Sequence, residues 1–148
     1  MQRGGVPATN GETVQVPIYD ASLGAGPTGY AQNRIVAYGT FLERWLREVP
    51  RVQPDKTFIV EVSGHSMREL YNDRDLVIGE RCEEVHRDST YAFYWKGAPG
   101  IKHIERRGDK IRLIPENQAF DVKTVTADNA EDFRVIGEVK AKITLPER

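Results

Sequence analysis

A chain of 148 residues can bury one core, and 39% hydrophobic with 29% charged residues is ordinary for a globular domain. A net charge of −1 gives no overall pull toward nucleic acid. The single cysteine, Cys82, excludes an internal disulfide and fits a reducing cytoplasm; no apolar run approaches the roughly 18 residues of a membrane span, and no signal-peptide pattern opens the chain.

Residues 1–33 read as a flexible arm or linker, with six of the 13 glycines and only three charged residues, Arg3, Glu12 and Asp20. Within it Val14–Tyr19 alternates weakly, as an edge strand that tolerates Pro17 would. Asp20 to Gly29 then reads as a turn-rich loop containing Leu23-Gly24-Ala25-Gly26-Pro27. Phe41, Trp45 and Val49 recur at i, i+4 and i+8, which predicts an amphipathic helix. Thr40 serves as its N-cap, Glu43 completes a capping box, Glu43 and Arg47 form an i,i+4 pair, and Pro50 ends the helix. From residue 57 onward the pattern is β: Thr57–Val62, Leu76–Glu80, Thr90–Lys96, Ile101–Arg107, Lys110–Ile114 and Phe133–Ile143, with a hairpin turn at Gly108-Asp109. Short strands, close turns and one helix predict a mainly β fold, a curled sheet or partly closed barrel.

Two stretches carry candidate chemistry. After the apolar run Phe58-Ile59-Val60, Gly64 permits a sharp bend and Ser66 follows it. A serine there either caps a short helical turn or serves as a nucleophile beside an oxyanion hole. Lys102 lies 36 positions further on, within Gly100-Ile101-Lys102-His103-Ile104. Alternation predicts Ile101 and His103 on one side of that strand and Lys102 on the other. A lysine can act as general base only when neutral. Lysine in water titrates near about 10.4, and apolar burial can lower that by roughly 3–5 pH units. The competing reading is a surface lysine on a half-exposed strand. Of the three histidines, His65 and His103 adjoin Ser66 and Lys102, and His86 sits among charges. They are too scattered to give metal-ligand spacing, so no metal or other cofactor is expected. Tyr94 and Trp95 beside Lys96 suit cross-strand packing better than base stacking.

Ser63-Gly64-His65-Ser66-Met67, Asp73-Arg74-Asp75-Leu76-Val77, Ile101-Lys102-His103-Ile104 and Leu113-Ile114-Pro115-Glu116-Asn117 come in the order and spacing of the LexA-type self-cleaving proteins. The chain resembles that family, which includes LexA, the lambda-type phage repressors and UmuD, over roughly residues 14–143. The resemblance implies a LexA C-terminal type of fold, with residues 34–148 forming a Ser-Lys peptidase and dimerisation domain. It implies Ser66 as nucleophile, Lys102 as neutral base, Gly64 and Met67 supporting the oxyanion loop, and Ala25-Gly26 as the bond the protein cuts in itself. It further implies a homodimer, an activating RecA filament or antirepressor, and DNA contact only through a helix-turn-helix domain that precedes such domains and for which there is no room before residue 34. The membrane-bound signal peptidases share a similar Ser-Met and Lys arrangement; the missing membrane span counts against them. The Ala-Gly bond and the helix favour the self-cleaving part of an SOS or phage repressor, whereas the chain length favours a UmuD-like polymerase accessory. A dimerisation module with a vestigial peptidase is a further alternative. The sequence departs from the family pattern at His65, where an acidic residue is usual, at Arg74, where glycine is usual, and at Arg68-Glu69-Leu70, which lacks the proline common after Ser-Met.

Overall fold

The computed structural model describes residues 11–20, 35–61, 74–114, 121–144 and 146. Their strands are β1 (Thr13–Asp20), β2 (Ile35–Leu42), β3 (Thr57–Glu61), β4 (Leu76–Arg81), β5 (Ser89–Trp95), β6 (Ala98–Arg107), β7 (Lys110–Ile114), β8 (Lys123–Val125) and β9 (Phe133–Ile143), with one α-helix, α1 (Glu43–Glu48). All nine strands form one open sheet in the order β2-β1-β3-β4-β9-β5-β6-β7-β8. Neighbours are antiparallel except β1 and β3, which run parallel. The fold is therefore mainly β with one short helix, as the strand pattern predicts.

Alternating side chains divide this sheet into two faces. Phe58, Val60, Val77, Ala92 and Ile101 build one apolar cluster, with Tyr19, Ile136 and Val139 packed against it. The opposite face carries two more. Val16, Ile59 and Ile78 pack with Leu46 of α1 and with Val52. Val85, Tyr91, Phe93, Ile104, Leu113 and Val125 form the other. A sheet buried on both faces, with a single six-residue helix among the described residues, covers itself by curling. The curl is helped by irregularities at Ile78/Gly79 in the β4–β9 ladder and Ala92/Phe93 in the β5–β9 ladder. Two glycines make this seam: a Cβ on Gly79 would stand 2.5 Å from Phe58 Cζ, and one on Gly137 would strike the Glu80 carbonyl and Phe58 Cε1.

Three local expectations are corrected. The predicted helix from Thr40 through Val49 is shorter, because β2 runs on through Leu42. Pairing with β1 claims the backbone up to the Thr13–Leu42 pair, and only then does the chain turn helical. Leu42 occupies the N-cap with no side-chain bond, while Thr40 Oγ1 accepts from Gln15 Nε2 at 2.9 Å, across to β1. Strand β1 is not an edge: it lies between β2 and β3, and β2 is the edge. Pro17 is tolerated because the β1–β3 ladder covers only Ile18–Asp20. Strands β2 and β8 lacked a readable signal. The predicted Gly108-Asp109 hairpin is present, with Arg107 paired to Lys110 and Gly108 at φ 64°.

Candidate active site

Of the candidate residues, Lys102 is described; Ser66, Gly64, Met67, Ala25 and Gly26 lie outside the described residues, as does His65. What the structure does fix is where the segments carrying them leave and re-enter the sheet. Strand β3 ends at Glu61, five residues before Ser66, and β4 resumes at Leu76, paired with Glu61. Strand β1 ends at Asp20, five residues before Ala25, and β2 resumes at Ile35, paired with Tyr19. Because β1 and β3 are parallel neighbours, Asp20 pairs directly with Glu61. The two segments therefore leave the sheet at the same end, from adjacent strand ends. Five residues of extended chain reach about 17 Å, far more than the roughly 4.8 Å between neighbouring strands.

The same inner cluster touches all of these flanks. Tyr19 precedes Asp20, Val60 precedes Glu61, Val77 follows Leu76, and Ile101 precedes Lys102; the four share one apolar cluster. Along β6, Ile101 joins that cluster, whereas Ile104 joins the cluster of Tyr91 on the other face. Lys102 is on the Ile104 side by alternation and pairs with Tyr91 of β5. It is half-buried, and His103 is exposed. Lys102 takes no carboxylate partner among the described residues, unlike Lys140, whose Nζ is 3.3 Å from Glu138 Oε1.

Glu138 is the residue that sequence reasoning missed. It lies mid-strand in β9 with its side chain 6% exposed. Arg87 grips it with two hydrogen bonds, Nε to Oε2 at 3.0 Å and Nη2 to Oε1 at 3.1 Å, and His86 Nε2 stands 3.5 Å away. Burial alone would push this carboxyl up. Hydrogen bonds from Ser89 and Arg87 and the charge of Lys140 overcome that and hold it below the usual carboxylate range. A glutamate flanked by Val135-Ile136-Gly137 and Val139 within a predicted strand was the available signal. Asp75, immediately before β4, is also buried, at 1% exposed, and is engaged in the fold.

Cys82 is half-buried, and its thiol is pushed up by that burial and by the Glu138 charge, away from the reactive thiolate form. Among the described residues no group of His, Cys, Asp and Glu is arranged to hold a metal ion. No described helix is long and apolar enough to cross a membrane.

Arg74 gives a physical reading of one sequence departure. It takes φ 77°, in the left-handed region that costs an L residue about 1–2 kcal/mol. That is where the resembling family has glycine, which pays no such cost.

Compared with known families, residues 17–140 match the family model described as Peptidase S24-like. The matched stretch runs from Pro17 in β1 to Lys140 in β9, and so includes every candidate site residue together with Glu138.

Proposed function

The chain belongs to the Peptidase S24-like family, and on that premise we propose that it is a serine peptidase that cuts its own Ala25-Gly26 bond. Ser66 Oγ attacks the Ala25 carbonyl carbon while Lys102, as a neutral amine, takes the hydroxyl proton. The Ser66 N–H and a neighbouring backbone N–H, in a loop supported by Gly64 and Met67, stabilise the oxyanion. The Gly26 amine leaves, and water releases the acyl group from Ser66. The observation that carries this reading is the parallel β1–β3 pair, whose ends at Asp20 and Glu61 start the segments of the scissile bond and the nucleophile side by side. Cutting within one chain then needs no rearrangement of the sheet. Incubation at alkaline pH followed by mass spectrometry is expected to give a new N-terminus at Gly26, with Ser66→Ala intact. A cut elsewhere, or an unchanged cut in Ser66→Ala, contradicts it.

The Ala-Gly bond favours a role as the self-cleaving domain of a transcriptional repressor, released on a signal carried by a RecA filament or an antirepressor. A UmuD-like accessory to an error-prone polymerase is the alternative. A reporter gene under the cognate operator, silenced by the intact protein and released by the cut one, separates the two.

A second reading, dimerisation with little or no peptidase activity, draws on edge strand β2. Ile35, Val36, Tyr38 and Leu42 are exposed there, and the strand Ile35–Leu42 carries no charge, although edge strands are usually guarded by charged residues. Sedimentation equilibrium is expected to show a dimer at micromolar concentration. A monomer at high micromolar concentration contradicts this reading.

A further inference from the structure

Lys102 is paired across the β5–β6 ladder with Tyr91, and Tyr91 across the β5–β9 ladder with Glu138. Directly opposed residues share one sheet face, with Cβ atoms about 4.5–5.5 Å apart. Glu138, Tyr91 and Lys102 therefore form a row over three adjacent strands, with the tyrosine in the middle. Tyr91 is fully buried. Its Oη donates to the Arg87 carbonyl at 2.9 Å and accepts the Arg87 N–H at 3.4 Å. Arg87 thus fixes the phenol through its backbone and Glu138 through its guanidinium.

We propose that Tyr91 is a positioning residue for Lys102, its ring a fixed spacer that keeps the lysine ammonium from pairing with the buried Glu138 carboxylate. The inference rests on Lys102 being the base in the proposed self-cleavage. Two strand spacings put the Glu138 and Lys102 backbones about 10 Å apart, within the joint reach of the two side chains if nothing stood between them. A lysine drawn into that pair would be held as ammonium and could not accept the serine proton. The other charges around the row are already committed or distant. Arg87, Lys140 and His86 surround Glu138, and Glu80 stands across from it on β4. Cys82 lies near Glu138, and Arg106, on the same side of β6 as Lys102, bonds the Val85 carbonyl. The Tyr91 phenol itself is pushed up by burial, and the Glu138 charge adds to this against hydrogen bonds from the Arg87 and His86 backbone.

The test is the pH profile of self-cleavage from pH 6 to 10, where a reaction that needs a neutral amine as base is expected to rise with pH to a plateau, with thermal unfolding to confirm that each variant is folded. Tyr91→Phe keeps the ring and is expected to leave the midpoint of the rise in place. Tyr91→Leu shortens the spacer and is expected to move the midpoint up by about one pH unit, about tenfold slower at pH 8. Glu138→Gln in that background is expected to restore it. Tyr91→Met serves the same purpose if the leucine variant does not fold. A folded Tyr91→Leu or Tyr91→Met protein with an unmoved midpoint overturns the inference, as does a shift that Glu138→Gln fails to reverse. Lys102→Ala, run alongside, separates the failures. Cutting by that variant removes the base assignment and the inference together, whereas a silent Lys102→Ala with an unmoved Tyr91→Leu profile removes the inference alone.

Discussion

The two wings of the sheet differ in where they carry the candidate residues. On the β2-β1-β3-β4 side, strand ends matter: Asp20 and Glu61 sit side by side and hand the chain to the segments that carry Ala25-Gly26 and Ser66. On the β9-β5-β6-β7-β8 side, a strand interior matters: Lys102 lies mid-strand, paired with the fully buried Tyr91, which is paired in turn with the buried, ion-paired Glu138. In the proposed reaction, nucleophile and scissile bond would belong to the connections that follow β3 and β1, while the base would belong to a strand whose register fixes it. The bulged seam at Gly79 and Gly137 joins the wings.

Breaking the strand-held side should be the most severe change. Lys102→Ala is expected to reduce self-cleavage by about 10²–10⁴-fold, the range for removing a general base. Lys102→Arg should be equally silent, since guanidinium stays protonated; quantified gel bands over hours at pH 9 provide the check. Attacking the seam comes next. Gly137→Ala drives a methyl into the Glu80 carbonyl and the Phe58 ring, and should cost about 3 kcal/mol, seen as a lower midpoint in urea. Glu138→Gln should follow, at about 2 kcal/mol. It loses charged hydrogen bonds, but Arg87, 57% exposed, can return to water. Its sign with pH is also set. The folded carboxyl is held below its unfolded range, so its contribution is fully present above about pH 4.3 and is lost as pH falls through the folded value. Glu138→Gln should therefore flatten the acid limb of the stability curve, measured by thermal unfolding between pH 3 and 7. The smallest effect is expected where the Ser66 connection rejoins the sheet: Arg74→Gly relieves the left-handed φ there and should stabilise by about 0.5–1 kcal/mol, after the entropy glycine costs.

Much of this was legible in the sequence where one period dominated. Strands β3 to β7 and β9 were visible as short apolar or alternating runs, and the Gly108-Asp109 turn as a hairpin signal. Strand β2 was hidden because Phe41 and Trp45 also fit a helical period, and only the long-range pairing with β1 decides between them. The candidate serine and lysine were readable from local motifs. The Glu138–Arg87–Tyr91 assembly was not, since Arg87 and Glu138 lie 51 positions apart and only sheet register brings them together.

In the proposed reaction one molecule cuts itself at Ala25-Gly26, with Ser66 in the segment that follows the neighbouring strand. Its most direct test follows self-cleavage at pH 9 over a hundredfold range of protein concentration, with products identified by mass. A first-order rate constant independent of concentration, with Gly26 as the only new N-terminus, is the expected result. An intact chain, a different cut, or a rate constant that rises in proportion to concentration would contradict it.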